Sequence, residues 1–366
     1  MQKDPTITVL MPLYNAGPYL SEAIESILAQ SYRDFEFLIV DDCSTDGSSE
    51  VLSVYAGQDS RIRVLRNEKN LGLIRALNTG LRAARGKYIA RQDADDRSRV
   101  DRLKKQLQVM ECRPEGGLVT CAVAVIDSTG KKIGLSRPAI PPFMVPWWFI
   151  FWYPFRCAGQ LFFRREIDGT AFYFDEKLHY CDDYKLCTTA AHSSEIVQLG
   201  DVLYDYRLHG TQQTQECPEA VREVTMQIAQ DKTEYYLLRR LDRAEMTRLR
   251  SFWYFSLDIS PDSVLPLLFV LRDSYVKRKK FAEFPPELVR RKINQEIATR
   301  FSRKSVVMLF RFNFKEVLKN LRFAWSLCGA HSLFFCVYWF FRINYEKIVK
   351  AAHLKNPPSI KALCRH

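Results

Sequence analysis

Tyr88-Ile89-Ala90-Arg91-Gln92-Asp93-Ala94-Asp95-Asp96 joins a short apolar run to three carboxylates. The run reads as a strand and the acidic cluster as the turn at its end. Three aspartates so close repel one another unless something positive sits between them. A divalent cation holding a diphosphate is one natural answer. A solvated turn that caps the next helix is the plainer one, and an Asp-x-Asp alone does not choose between them. The order of the surrounding segments does.

Upstream, residues 7–11 are an apolar run, and Tyr19, Leu20, Ala23, Ile24, Ile27 and Leu28 recur at helical spacing. A second run, 35–40, ends at Asp41-Asp42, and the turn residues Ser44-Thr45-Asp46-Gly47 lead into a helix near 49–55. Residues 62–65 read as a third strand. Ile74, Leu77 and Leu81 mark a third helix, closed by Gly86. Residues 88–91 follow as a strand, 100–110 as a helix and 117–126 as a strand. This alternation predicts an α/β fold: a mostly parallel central sheet flanked by helices. Ligands in such sheets bind beyond the carboxyl ends of the strands, so one cleft collects Asp41-Asp42 and the acidic turn. From about residue 219 the pattern is helical. The expected organisation is an α/β domain over 1–218 and a mainly helical region, basic and aromatic, over 219–366.

Charge divides along the same line. Residues 251–366 carry a formal +13, while 1–250 sum to −1. A basic tail suits an anionic membrane face or nucleic acid. No nucleic-acid motif accompanies it, which argues against the second. Ten cysteines without a Cys-x-x-Cys pair read as reduced thiols of a cytosolic protein. Met1-Gln2-Lys3-Asp4-Pro5 runs straight into a strand and reads as no signal peptide. Residues 323–341 are uncharged, bracketed by Arg322 and Arg342, and about the minimum length for a bilayer span. The favoured reading is an interfacial helix on the cytoplasmic leaflet, making the protein peripheral to the inner face of the membrane. The alternative is an aromatic helix buried in the C-terminal region. Residues 139–155 carry no charge and four prolines, and read as a lipid-facing lip or as packing for those helices.

The ordered set Met11-Pro12-Leu13-Tyr14-Asn15, Val40-Asp41-Asp42-Cys43-Ser44-Thr45-Asp46-Gly47-Ser48, Asn70-Leu71-Gly72-Leu73, Ala76-Leu77-Asn78-Thr79-Gly80, Gly86–Ala90, Asp93–Asp96, Cys181–Leu186 and Tyr206-Arg207-Leu208-His209 resembles the inverting family 2 glycosyltransferases with a GT-A fold. The match spans roughly residues 6–212. The resemblance implies a nucleotide-sugar donor, a UDP-sugar in the first instance, and Mn²⁺ or Mg²⁺ as Lewis acid toward the leaving diphosphate. It implies Asp95 as a direct metal ligand, Asp93 on the ribose or on the metal through water, and His209 near the metal or diphosphate. Asp42 would accept from the base N–H and Tyr14 would stack on the base, with Pro12 and Asn15 shaping the loop. Asn70, Gly72 and Asn78 would line the donor side, and Arg75 and Arg91 would reach the diphosphate.

The catalytic base falls on Asp183, with Asp182 holding the acceptor or orienting the base; adjacency leaves the two exchangeable. Relatives carry Glu-Asp followed by Tyr-Asp-Leu where this chain has Asp-Asp and Tyr-Lys-Leu, so acceptor contacts are not transferable. Residues 157–165 stand where relatives carry a His-Pro-Ser-like acceptor segment, of which only Phe-Arg-Arg remains. The expected acceptor is a saccharide on a membrane- or lipid-linked glycan, as in lipopolysaccharide or other cell-surface polysaccharide synthesis. Rival readings are a polyprenyl-phosphate acceptor, and a non-catalytic membrane- or nucleic-acid-binding protein.

Overall fold

The computed structural model describes residues 4–114, 116–136, 138–167, 169–210, 218–253, 263–278 and 284–309. The chain runs β1 (Ile7–Leu13), α1 (Leu20–Leu28), β2 (Phe35–Asp41), α2 (Ser48–Gln58), β3 (Ile62–Arg66), α3 (Leu73–Ala83), β4 (Tyr88–Arg91), the two-residue β5 (Arg97–Ser98) and α4 (Arg102–Cys112). It continues through β6 (Gly116–Ile126), β7 (Lys132–Leu135), the single turn α5 (Val145–Trp148), β8 (Phe162–Arg164) and the paired β9 (Glu166–Ile167) and β10 (Thr170–Ala171). After these come α6 (Asp182–Ser193), β11 (Glu195–Arg207), α7 (Pro218–Leu237), α8 (Arg243–Trp253), α9 (Leu265–Arg278) and α10 (Pro286–Leu309).

Period-two alternation sorts the buried strands into two cores. Ile7, Val9 and Met11 of β1, Phe37 and Ile39 of β2, and Tyr88 and Ala90 of β4 face one side. There they meet Ala23, Ile24 and Ile27 of α1 and Leu103, Leu107 and Met110 of α4. Leu10, Leu38, Val40 and Ile89 face the other, against Ile74, Leu77 and Leu81 of α3 and Leu186, Cys187 and Ala190 of α6. Both faces are covered, which is why these strands read as unbroken apolar runs.

The main sheet has the order β3-β2-β1-β4-β8-β6-β11-β5, with β7 on β6. β1, β2, β3 and β4 are parallel, and β6 and β11 are parallel to each other. β8 runs antiparallel between β4 and β6. The sheet is therefore mixed, and the carboxyl ends of β1, β2, β4 and β11 all open on one side. Pro12 sits where it costs little. It lies past the last β1–β4 pairing, Leu10 with Arg91, so its missing N–H breaks no ladder bond.

Residues 157–165 divide into a turn at Ala158–Gln160 and the three-residue strand β8. Residues 139–155 do not form a lipid-facing lip: Trp147, Phe149, Ile150 and Phe151 are fully buried and Trp148 nearly so. Val145, Phe149 and Phe155 join the α3–α6 core, and the Tyr184 hydroxyl donates to the Phe149 carbonyl at 2.5 Å.

The residues cluster into two units that divide between Lys232 and Thr233, inside α7 rather than at its start. The first half of α7 belongs with the sheet: Val224 and Ile228 pack on the α3–α6 core, and Lys232 Nζ donates to the Thr188 carbonyl at 3.3 Å. Within the second unit, Tyr236 and Tyr275 meet edge to face, and Arg272 donates to Asn294 at 2.8 Å. Among the described residues no helix is long and apolar enough to cross a membrane. Residues 323–341 lie outside the described residues.

Candidate active site

The acidic turn leaves β4 and is held from behind by β11. Arg207, on the last residue of β11, donates its backbone N–H to Asp96 Oδ1 at 2.7 Å and its Nε to the Asp95 carbonyl at 2.8 Å. Arg207 also pairs with Glu22 of α1 and lies over the Tyr19 ring. Asp96 is buried, and its Oδ2 has no hydrogen-bond partner. Burial, then Asp95 and Asp93, push its carboxyl well above the ordinary range. It is therefore a structural acid at the root of the turn. Asp93 and Asp95 remain partly open to solvent.

His209, two residues past β11, points back at the turn. Its Nε2 lies 2.8 Å from Asp95 Oδ2, and its ring packs on Tyr19 at 5.1 Å. Burial and the neighbouring Asp93 raise the Asp95 carboxyl, and His209 opposes the rise. Among the described residues no three His, Cys, Asp or Glu side chains are gathered as a closed metal site. An open pair, Asp95 and His209 with Asp93 beside it, fits Mn²⁺ or Mg²⁺ bound mainly through diphosphate oxygens and water.

The candidate base stands close to the acidic turn, joined to it through Arg91. Asp182 and Asp183 open α6 behind Cys181, whose left-handed φ of 61° turns the chain sharply into the helix. Asp183 Oδ1 accepts from the Tyr184 N–H at 2.7 Å. Burial first and Asp182 second raise the Asp183 carboxyl to about 7, against the pull of Arg91. Arg91, which the resemblance placed near the diphosphate, meets two carboxylates. It is buried between Asp93, 3.0 Å from Nε, and Asp182, 2.6 Å from Nη1.

The nucleotide side differs from expectation in detail. Tyr14, just past β1, is half exposed and free to stack. Asp42 is 2% exposed and fully engaged. Its carboxylate accepts from Asn67 Nδ2 at 2.7 Å, Leu71 N at 3.0 Å and Gly72 N at 2.8 Å, so it organises the 67–72 loop. Asn15 holds a φ of 49° and accepts from Thr45 N at 2.9 Å, tying two loops together. Asn70 Oδ1 accepts from Gly72 N at 3.0 Å. Gly72, with φ +87°, starts α3 in a conformation that disfavours any side chain.

Asn78 and Arg75 find partners within the protein. Asn78 is buried, donates to the Phe174 carbonyl at 2.9 Å and accepts from the Phe174 N–H at 2.9 Å. That clamp satisfies a loop backbone which would otherwise be stranded, at about 1–3 kcal/mol per group. Arg75 is exposed and leans toward Glu176 at 3.6 Å. An i, i+4 helix pattern cannot distinguish an inward asparagine that meets ligand from one that meets loop backbone.

Several residues that shape the site were not singled out from sequence. Arg102 is fully buried and grips the Arg91 carbonyl at 2.7 Å, Ser98 Oγ at 2.8 Å and Gln92 Oε1 at 3.2 Å, so the strand end cannot shift. Tyr204 accepts from Asp93 N at 3.2 Å. Gly159 makes room for that contact: a Cβ there would overlap the Tyr204 hydroxyl and come within 3.0 Å of Asp93 Oδ2. We expect Gly159→Ala to lower donor turnover at least tenfold while costing about 1–3 kcal/mol of stability. Steady-state rates beside a thermal melt would check this, and unchanged turnover would contradict it.

The mixed sheet thus carries an acidic turn at the end of β4, a carboxylate pair at the start of α6 and a histidine after β11. Residues 8–172 match the family model described as "Glycosyl transferase family 2". The chain is 39% identical over 142 residues to EpsE of Bacillus subtilis, and 43% identical over 106 residues to TuaG of the same organism, named for teichuronic acid biosynthesis. Both are named as glycosyltransferases. These alignments cover 38% and 29% of this chain and 51% and 42% of the relatives, about half their length or less. Staphylococcus aureus TarS 1–349, solved in complex with UDP-GlcNAc, superposes with a TM-score of 0.53 at 18% identity. It covers 89% of this chain and 91% of that one.

Proposed function

We propose that the chain is a metal-dependent inverting glycosyltransferase that moves a sugar from a UDP-sugar to a saccharide hydroxyl. The observation that carries this is the pairing of an open acidic turn, Asp93–Asp95 with His209, with a half-buried carboxyl at Asp183 raised to about 7. Such a value suits a group that accepts a proton near neutral pH. Asp95 and His209, with Asp93 adjacent, would hold Mn²⁺ or Mg²⁺, which supplies Lewis-acid stabilisation of the departing diphosphate.

The chain's own residues do the rest. Tyr14 offers a face for the base, and the Asp42-bound 67–72 loop shapes the wall beside it. Asp183 accepts the proton of the attacking hydroxyl. In one displacement the oxygen bonds to the anomeric carbon as the bond from that carbon to the diphosphate oxygen breaks. The membrane-linked acceptor and peripheral attachment to the inner membrane face belong to the same proposal. The +13 charge of residues 251–366 supports the attachment.

Proton NMR of the first-formed sugar from an α-linked UDP-sugar tests the displacement. A β anomer is expected, because attack comes from the face opposite the leaving group. An α anomer would contradict a single displacement.

A further inference from the structure

Asp182 and Asp183 are neighbours on one helical turn and chemically equivalent, so something outside α6 must decide which takes the proton. Arg91, at the end of β4, is only 4% exposed. A buried guanidinium is costly unless its charge is met. Two carboxylates from distant parts of the chain meet this one: Asp93 Oδ1 at 3.0 Å from Nε, and Asp182 Oδ2 at 2.6 Å from Nη1. The Phe174 ring lies 5.7 Å from its centre. A planar fork can hold both partners at once, which a single ammonium cannot.

We propose that Arg91 is a positioning residue for transfer: by holding Asp182 in an ion pair it leaves Asp183 as the proton acceptor, and by holding Asp93 it fixes that acceptor against the donor turn. This rests on reading the chain as an inverting transferase. Asp182 on the same helix, Cys187 one turn further, Tyr153 from the segment before β8 and Arg91 from β4 are the groups that face Asp183. Of these, Arg91 brings the positive charge. It favours the ionised carboxylate, whereas burial and Asp182 oppose it. The same guanidinium thus selects the base and tunes it.

The test is UDP release from UDP-N-acetylglucosamine, UDP-glucose and UDP-galactose with Mn²⁺ and water as acceptor, between about pH 5.5 and 9. With Arg91→Gln the acid limb should move up by about one pH unit and the plateau rate fall roughly 100-fold. Arg91→Lys keeps the charge, so the limb should stay within about half a unit while the plateau still falls about tenfold. Should Arg91→Gln not fold, Arg91→Gln with Asp182→Asn removes both ends of the buried pair. It should return the limb to the wild-type position and keep the low plateau. A folded Arg91→Gln with an unmoved limb, or a folded double variant with a plateau within about threefold of wild type, would overturn the inference while leaving the transferase reading intact. No release by the wild type would overturn that reading and this inference with it.

Discussion

Asp183→Asn is expected to reduce transfer about 10³-fold, with the loss in kcat rather than in donor KM. A positioned general base contributes roughly 10²–10⁴ in rate. Asparagine keeps the shape and the bond to Tyr184 N but cannot take a proton. Asp182→Asn should cost far less, about tenfold, because that carboxylate is the partner of Arg91 rather than the acceptor. The same comparison tests the polyprenyl-phosphate alternative. A phosphate nucleophile arrives already ionised, so transfer to it would survive Asp183→Asn.

Wild-type activity should rise with pH through about 7 as Asp183 ionises, and the variant should lose that limb. Stability should change in the opposite sense. The unfolded carboxyl ionises near 3.9, whereas the folded one holds its proton to about 7. Between these values the folded state binds the extra proton, so stability falls as pH rises and the penalty is complete above about 7. Asp183→Asn should therefore melt higher than wild type at pH 8, by something on the order of 5 °C, and no higher at pH 4. Equal melting at both values would contradict a raised carboxyl at Asp183.

Asp95→Ala is expected to abolish donor turnover and to weaken Mn²⁺ binding in the presence of UDP by at least about 100-fold. Asp95 is the turn carboxylate that faces an imidazole, and burial beside Asp93 leaves its charge poorly met within the protein. A divalent cation, on the proposed reading, would answer that deficit. His209→Ala should have a similar but smaller effect, about tenfold. Chelation of wild type by EDTA should match Asp95→Ala. Titration of Mn²⁺ by electron paramagnetic resonance checks this apart from activity. Undiminished binding by Asp95→Ala would remove Asp95 as a ligand.

The parallel strands were legible because both faces of each are covered, so their sequences are short apolar runs ending in turn residues. The carboxylates at the strand ends followed from the same rule. What sequence did not convey is which partner each polar side chain finds. Asp42 and Asn78 turn to backbone groups of neighbouring loops, and Arg91 turns to Asp182 across 91 positions of chain. β8 was hidden because it has three residues and enters antiparallel, outside the βα alternation. Arg102 sits on a helix as an ordinary cation in sequence, and only packing reveals that it anchors the strand end. The proline- and tryptophan-rich segment left two readings open, a membrane edge or packing for the C-terminal helices, because its composition suits both. Its residues instead fill a core that the sheet alone leaves uncovered.

The most direct measurement is UDP release by the wild-type chain from a panel of UDP-sugars, with Mn²⁺ and again with EDTA. The account predicts slow release from at least one donor, lost with EDTA and lost in Asp183→Asn. Release that persists with EDTA and in Asp183→Asn, or no release from any donor, would contradict it.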